Sequence, residues 1–263
     1  MKNSISNVQE RRSELLKIVN KKGSMSVEDL AEKLNVSEIT IRRDLKILSE
    51  MGVIGWRSGV ATSTYGKSLS STSLDVNASS RVDQIKMKIA AAVPSFISES
   101  STIFVNSSTL CWMAINQLAS KRLTIITNNA HATESVHHPQ TIIILTGGEI
   151  RYPKESLVGG VAIQLLSSMQ SDYTIIGLDG VSVDGGLTTQ NLYESQVNTT
   201  MIKRTKKKVI CLADYRKIGV TSNYHVADID DIDILITDSF ANEKVIKSFR
   251  KRGIEVIQIQ LGQ

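Results

Sequence analysis

The segment from Ser26 to Gly52, SVEDLAEKLNVSEITIRRDLKILSEMG, constrains this chain more than any other stretch. Val27, Leu30, Ala31 and Leu34 recur at helical spacing, which predicts a short helix with one buried face. Ser26 with Asp29 three residues on is a capping-box-like start. Asn35-Val36 makes a turn, Ser37 is a good N-cap for a second helix, and Gly52 is a good stop. On that second helix Ile41, Leu45 and Leu48 face inward. Glu38, Arg42 and Lys46 line the opposite face, with Arg43 beside them. An apolar anchor behind an outward Arg/Arg/Lys face is what a helix needs to lie in a major groove, where guanidinium groups reach phosphates or guanine edges.

The competing reading is a solvated helix face laced by i,i+4 ion pairs. Its neighbours weigh against it. A preceding helix with Leu15, Leu16, Ile18 and Val19 supplies the third member of a small bundle. After Gly52, VIGWRSGVA alternates and turns like a short hairpin, where a wing lies beside a helix-turn-helix, and Arg57 falls near its tip. DNA is the expected partner, met by Ser37, Thr40, Arg42, Arg43, Lys46 and Arg57.

At 263 residues the chain can build one sizeable core and a small module. Its net charge of +5 permits nucleic acid without requiring it. The two cysteines, Cys111 and Cys211, sit in apolar segments without metal-ligand spacing, so reduced, buried thiols of a cytoplasmic protein are expected. The first residues lack the apolar run of a signal peptide, and no stretch approaches the roughly 18 apolar residues of a membrane span. His131, His137 and His138 read as loop histidines, and neither metal nor cofactor is expected.

Residues 1–60 thus read as a winged helix-turn-helix, and 61–80, half Ser or Thr, as a linker. A helix is expected from Arg81, with Ile85, Ile89 and Val93 inward and Pro94 ending it. Beyond Ser101, apolar runs alternate with helical patterns. Strands are predicted at Thr102–Val105, Leu123–Thr127, Thr141–Leu145, Tyr173–Gly177, Lys208–Leu212, Ile234–Thr237 and Ile254–Ile259. Helices are predicted at Thr109–Ala119, Val161–Ser168, Glu194–Arg204 and Asn242–Lys251. Continuous Ile/Val/Leu runs flanked by helices mark an α/β domain, residues 81–263, with a parallel sheet covered on both faces.

Ligands of such sheets bind beyond the carboxyl ends of the strands. Small, polar or Gly-rich sequence follows strand after strand: Asn106-Ser107-Ser108-Thr109, Asn128-Asn129, Gly147-Gly148, Asp179-Gly180, the run Gly185 to Asn191, and Asp214 with Lys217. Hydroxyls at a helix start suit an anion such as phosphate. Each signal alone is ordinary turn chemistry, but together they point to a small polar or phosphorylated ligand. The basic run Lys203 to Lys208 reads as a helix C-terminus favourably placed for its dipole rather than as a second DNA contact.

In both halves the chain resembles the DeoR-type bacterial transcription regulators. The N-terminal match is to SVxELAxxLxVSxxTIRRDL, with Ser37, Thr40, Ile41, Arg42, Arg43, Asp44 and Leu45 in place. TNN, GGEIR, LVG, GLTTxN, ADYRK and DIDILITD resemble the family's sugar-phosphate sensor domain, itself related to ribose-5-phosphate isomerase and coenzyme A transferase folds. The resemblance implies a repressor of a carbohydrate operon, a dimer or tetramer, that leaves operator DNA when a phosphorylated sugar binds. It places Ser107, Ser108 and Thr109 on the phosphate with Lys217 as counter-charge. Asp179 would meet sugar hydroxyls, and Gly147, Gly148 and Gly186 would let the backbone close in. Asn106, Asn128, Asn191 and Glu194 complete the implied effector set. The family's usual DSGTT loop here reads Asn106-Ser107-Ser108-Thr109-Leu110, its HGGA wing reads Ser58-Gly59-Val60-Ala61, and its NPEE reads Asn191-Leu192-Tyr193-Glu194. These departures imply a changed effector. An activator would use the same DNA contacts. The rival class is an isomerase-like enzyme with an appended DNA module, in which Glu194 is the general base and Asp179, Asp214 and Lys217 supply acid and charge.

Overall fold

The fold is that of a computed structural model, which describes residues 5–50, 54–63, 76–151 and 155–260. The chain divides into two compact units, residues 1–85 together with 240–244, and residues 86–239 with 245–263.

The first unit is built on three helices, α1 (Ile5–Lys22), α2 (Val27–Leu34) and α3 (Glu38–Glu50). Leu15, Leu16 and Val19 of α1, Val27, Leu30 and Ala31 of α2, and Ile41, Leu45 and Leu48 of α3 form its buried apolar set. Ser26 caps α2 by accepting from the Asp29 amide at 3.0 Å, and Asn35 ends it in the left-handed region at φ 49°. Ser37 accepts from the Thr40 amide at 3.3 Å, as expected of the α3 N-cap. Gly52, the expected stop, lies outside the described residues.

Three short strands form the wing: β1 (Ser24–Ser26), β2 (Ile54–Arg57) and β3 (Val60–Ser63), in the order β1-β3-β2 and antiparallel throughout. Ser58 and Gly59 turn the hairpin with φ of 51° and 78°, the doubly left-handed turn whose twist suits a two-residue connection. Residues 61–63, read as linker, are therefore wing strand, because they pair with both β1 and β2. The end of β3 is tied back to α1: the Ser63 amide donates to Gly23 O at 2.7 Å, and its hydroxyl donates to Asn20 Oδ1 at 2.6 Å.

A buried ion triad joins α1 to α3. Asp44, 1% exposed, accepts from Arg11 Nε at 2.6 Å and from Arg12 Nε at 2.8 Å. Leaving two largely buried guanidinium groups without their carboxylate is costly.

Helix α4 (Val76–Ala92) begins before the expected Arg81, and Ile85, Ile89 and Val93 are buried as expected. Pro94 enters the 3-10 turn Val93–Phe96 that ends it. Linker residues 64–75 lie outside the described set. The second unit then runs β4 (Thr102–Val105), α5 (Thr109–Gln117), β5 (Thr124–Thr127), β6 (Ile142–Leu145), β7 (Glu149–Arg151), β8 (Ser156–Val158), α6 (Gly160–Ser168), β9 (Ser171–Gly177) and β10 (Gly180–Ser182). It continues through β11 (Gly186–Thr189), α7 (Leu192–Lys203), β12 (Thr205–Leu212), β13 (Tyr224–Ala227), β14 (Ile234–Asp238), α8 (Glu243–Lys251) and β15 (Glu255–Ile259).

All seven expected strands form one sheet in the order β15-β14-β12-β9-β4-β5-β6, and every pairing in it is parallel. From β4 the chain winds outward to β6, then returns to lay β9 on the other side of β4. Right-handed crossovers therefore put α5 on one face and α6 with α7 on the other. On the latter face Phe104 and Ile126 pack with Val158, Ala162, Leu166, Val197 and Met201.

Sequence periodicity gave no sign of two small accessory sheets, the hairpin β7-β8 and the antiparallel β10-β11-β13. The run Gly185 to Asn191, read as loop, contains strand β11. The basic run also differs from its reading: only Lys203 ends a helix, while Lys206, Lys207 and Lys208 lie on β12. Lys207 pairs with Asp172 at 3.1 Å and Lys208 with Glu255 at 3.6 Å.

Asp44→Ala should destabilise the first unit by roughly 3 kcal/mol, the usual result of stripping a buried charge of its partner. Thermal unfolding of the variant should show an early transition, whereas loss of only a few tenths would mean that the triad is already well solvated.

Candidate functional site

The strand order reverses between β4 and β9, and a doubly wound sheet opens a crevice at such a point, beyond the strand ends. Asn106, which follows β4, bridges the two halves. Its Nδ2 donates to Gly177 O at 2.8 Å and to Asn198 Oδ1 at 3.1 Å, and its Oδ1 accepts from the Gly177 amide at 3.1 Å. This side chain, 3% exposed, is thus held on both ends by the framework.

Ser108 caps α5 by accepting from the Cys111 amide at 3.1 Å. Amides in the first turn of a helix have no intrahelical acceptor and, with the helix dipole, favour an anion. Gly177, which the sequence reading passed over as a strand end, makes room for this cap. A Cβ there would fall 2.1 Å from Ser108 Oγ and 2.8 Å from Ser108 Cβ. Cys111 lies beneath the cap, its thiol pushed up to about 12 by burial, so it is an inert core group.

A chain of polar contacts leads from this loop around the carboxyl ends of the strands. Asn128, fully buried, donates to Ser107 Oγ at 3.5 Å and to Leu157 O at 3.2 Å, while its Oδ1 has no protein partner among the described residues. Ser156, next to Leu157, donates to Glu194 Oε1 at 3.2 Å, and Thr189 reaches both Glu194 at 3.5 Å and Asp179 at 3.0 Å. Asp179 also accepts from the Gln190 amide at 3.0 Å and pairs with Lys217 at 3.2 Å. Ser107, Asn128, Asp179, Glu194 and Lys217, widely spaced in sequence, are thereby linked. Ser156 and Thr189 were missed; the hydroxyl-rich GLTT run was the available signal for Thr189.

Other expected site residues have local roles. Asn191 caps α7, accepting from the Tyr193 and Glu194 amides at 2.9 and 3.3 Å. Gly148 and Gly186 are explained by packing: a Cβ on either would fall 2.3 Å from Val158 O or 2.4 Å from Ala227 O. Gly147 meets only Val161, at 3.5 Å. Thr109 is exposed on the first turn of α5. At the rim, the Arg151 guanidinium lies 4.5 Å from the centre of the Tyr193 ring.

Asp214 stands behind Lys217 and takes two hydrogen bonds from the Arg216 guanidinium, at 2.8 and 2.7 Å. Burial pulls its pKa upward, but the Arg216 hydrogen bonds and the nearby Arg216 and Lys217 charges outweigh this and hold it below the ordinary carboxylate range.

On the first unit, Arg42, Arg43 and Lys46 are exposed on α3, and Arg57 is exposed beside the wing turn. Arg42 pairs with Glu38 at 3.2 Å, both about half exposed, and such a pair is weak. Ser37 and Thr40 hydroxyls bond each other at 2.9 Å.

Residues 82–239 match the DeoR C terminal sensor domain, and residues 11–64 match the DeoR-like helix-turn-helix domain. The chain belongs to the DeoR family. Its similarity to curated members runs nearly end to end. The HTH-type transcriptional repressor GlcR of Bacillus subtilis is 30% identical, over 95% of both chains. The HTH-type transcriptional regulator GolR of Listeria innocua is 29% identical, over 94% of this chain and 97% of its own. Membership makes this protein a DNA-binding transcriptional regulator, with its helix-turn-helix domain in residues 11–64. Among solved structures, ribose 5-phosphate isomerase A from Methanocaldococcus jannaschii is similar at 12% identity and a TM-score of 0.37. The match spans about half of each chain, 51% of this one and 54% of that one, and is too remote to bear on function. No helix among the described residues is long and apolar enough to cross a membrane.

Gly177→Ala should drive the Ser108 cap away from β9 and destabilise the sensor unit by about 1–3 kcal/mol, as overpacking does. Chemical denaturation would register the shift, and an unchanged midpoint would mean that the loop yields without cost. A carboxylate with a depressed folded pKa contributes stability above its unfolded value of about 3.9 and loses it as pH falls through the folded value. Melts between pH 7 and 3 should therefore show Asp214→Asn already weakened at neutral pH, with a shallower acid loss than the parent.

Proposed function

We propose that this regulator represses a carbohydrate operon and is released from its operator when a phosphorylated sugar binds in the crevice between β4 and β9. The observation that carries this reading is the meeting of the α5 N-terminus with the linked set Ser107, Asn128, Asp179, Glu194 and Lys217 at the switch point. A phosphate would sit on Ser107, Ser108 and Thr109 at the helix end, drawing Lys217 toward it from Asp179. Asn128 Oδ1, Asp179 and Glu194 would then accept sugar hydroxyls, and Gly147 would leave room for backbone approach. Asn106, Asn191, Gly148 and Gly186 would serve by holding the frame.

On the DNA side, Arg42, Arg43, Lys46 and Arg57 would meet the operator, with Ser37 and Thr40 at the groove edge. One small module gives limited affinity, so a homo-oligomer would read repeated half-sites. The winged module, the linker and the sensor would then act as separate parts of a cytoplasmic switch. Shifting operator occupancy from 99:1 to 1:99 takes about 5.5 kcal/mol of differential effector binding, shared among subunits. The rival enzyme reading keeps the same site and makes Glu194 a general base rather than a hydroxyl acceptor.

Fluorescence anisotropy on the DNA upstream of the gene, titrated with a panel of sugar phosphates, tests this. One compound should release the protein. Arg42→Ala should bind that DNA at least tenfold more weakly, the worth of about 1.4 kcal/mol, while its sugar-phosphate affinity is unchanged. Equal operator affinity in the variant would remove Arg42 from the recognition face. Turnover of ribose 5-phosphate, abolished by Glu194→Gln, would restore the enzyme reading.

A further inference from the structure

Ile39 is 79% exposed, the most exposed large apolar side chain among the described residues. Every other large aliphatic of α3 is at least partly buried, and Ile41, Leu45 and Leu48 are completely so. Ile39 is the second residue of α3, near the end of a recognition helix that meets base edges. It shares the outward stripe of Arg42, Arg43 and Lys46, at spacings of three, four and seven residues. The cations of that stripe suit phosphates and guanine edges. An isoleucine suits neither. The apolar feature that a major groove displays is the thymine 5-methyl group. A β-branched side chain on a helix has essentially one rotamer, so it meets a methyl with little entropy to lose.

We infer that Ile39 is a specificity-determining residue of the DNA interface, which reads a thymine by packing on its 5-methyl group. The inference rests on α3 being the recognition helix of this DNA-binding regulator. Duplexes selected from a random-sequence pool by the full chain supply the probe. Each thymine of the selected site is then replaced singly by deoxyuridine, which lacks only the methyl, and affinity is read by fluorescence anisotropy. At one thymine per half-site the replacement should weaken wild-type binding about three- to fivefold, the worth of one methyl group removed from water. Ile39→Ala should bind the thymine duplex more weakly by a similar factor and ignore the replacement, while Ile39→Val should keep the sensitivity. Because the side chain is exposed, these variants should fold like the parent. Indifference of the wild type to every replacement overturns the inference, as does an undiminished uracil penalty in Ile39→Ala. Full affinity of Ile39→Ala for the selected duplex overturns it too. If the wild type enriches no sequence at all, the recognition-helix assignment falls with it.

Discussion

The sensor unit depends on one hydrogen-bonded bridge, the Asn106 amide across the ends of β4 and β9. Those strands start the two halves of the sheet, so the chain leaves them in opposite directions and their ends part. Asn106 satisfies the Gly177 amide and carbonyl together, and Gly177 in turn admits the Ser108 cap of α5. Buried backbone groups at such a parting need partners. Here a neutral side chain supplies them, which fixes the α5 N-terminus relative to Asp179 two residues beyond Gly177. The polar crossing to Glu194 and Lys217 follows from that placement.

The first unit separates its charges by depth. Arg11 and Arg12 lie inward on Asp44 and act on helix orientation, while Arg42, Arg43 and Lys46 lie outward. In sequence, Arg42, Arg43 and Asp44 form one charged cluster, yet helical geometry sends Asp44 to the core with Leu45 and leaves the arginines in solvent. The basic surface of this helix is therefore smaller than the composition suggests.

Much of the architecture was legible because the physics is local. The parallel strands announce themselves as unbroken Ile, Val and Leu runs, since both faces of the sheet are covered, and the caps Ser26, Ser37 and Ser108 are short-range events. The accessory strands were not legible. Gly180–Ser182 and Gly186–Thr189 carry glycine and hydroxyl residues that read as turns, yet they pair with each other as a hairpin, and the second also pairs with β13, some 40 residues on. The Arg11–Asp44 contact spans 33 residues, so no window of periodicity contains it. At the site, sequence order located the loops that converge, whereas the framework role of Asn106 and the steric need for Gly177 arise from close approach across the sheet. Residue type alone suggested ligand contact for the first and nothing for the second.

The stitching of Ser63 to Asn20 and Gly23 closes the winged module on itself. β3, clamped between β1 and β2, ends beside the last turn of α1. The last residue of the wing is thereby anchored to the last turn of the first helix, so the two ends of the winged module are held to each other and the hairpin cannot peel from the helices without breaking both bonds.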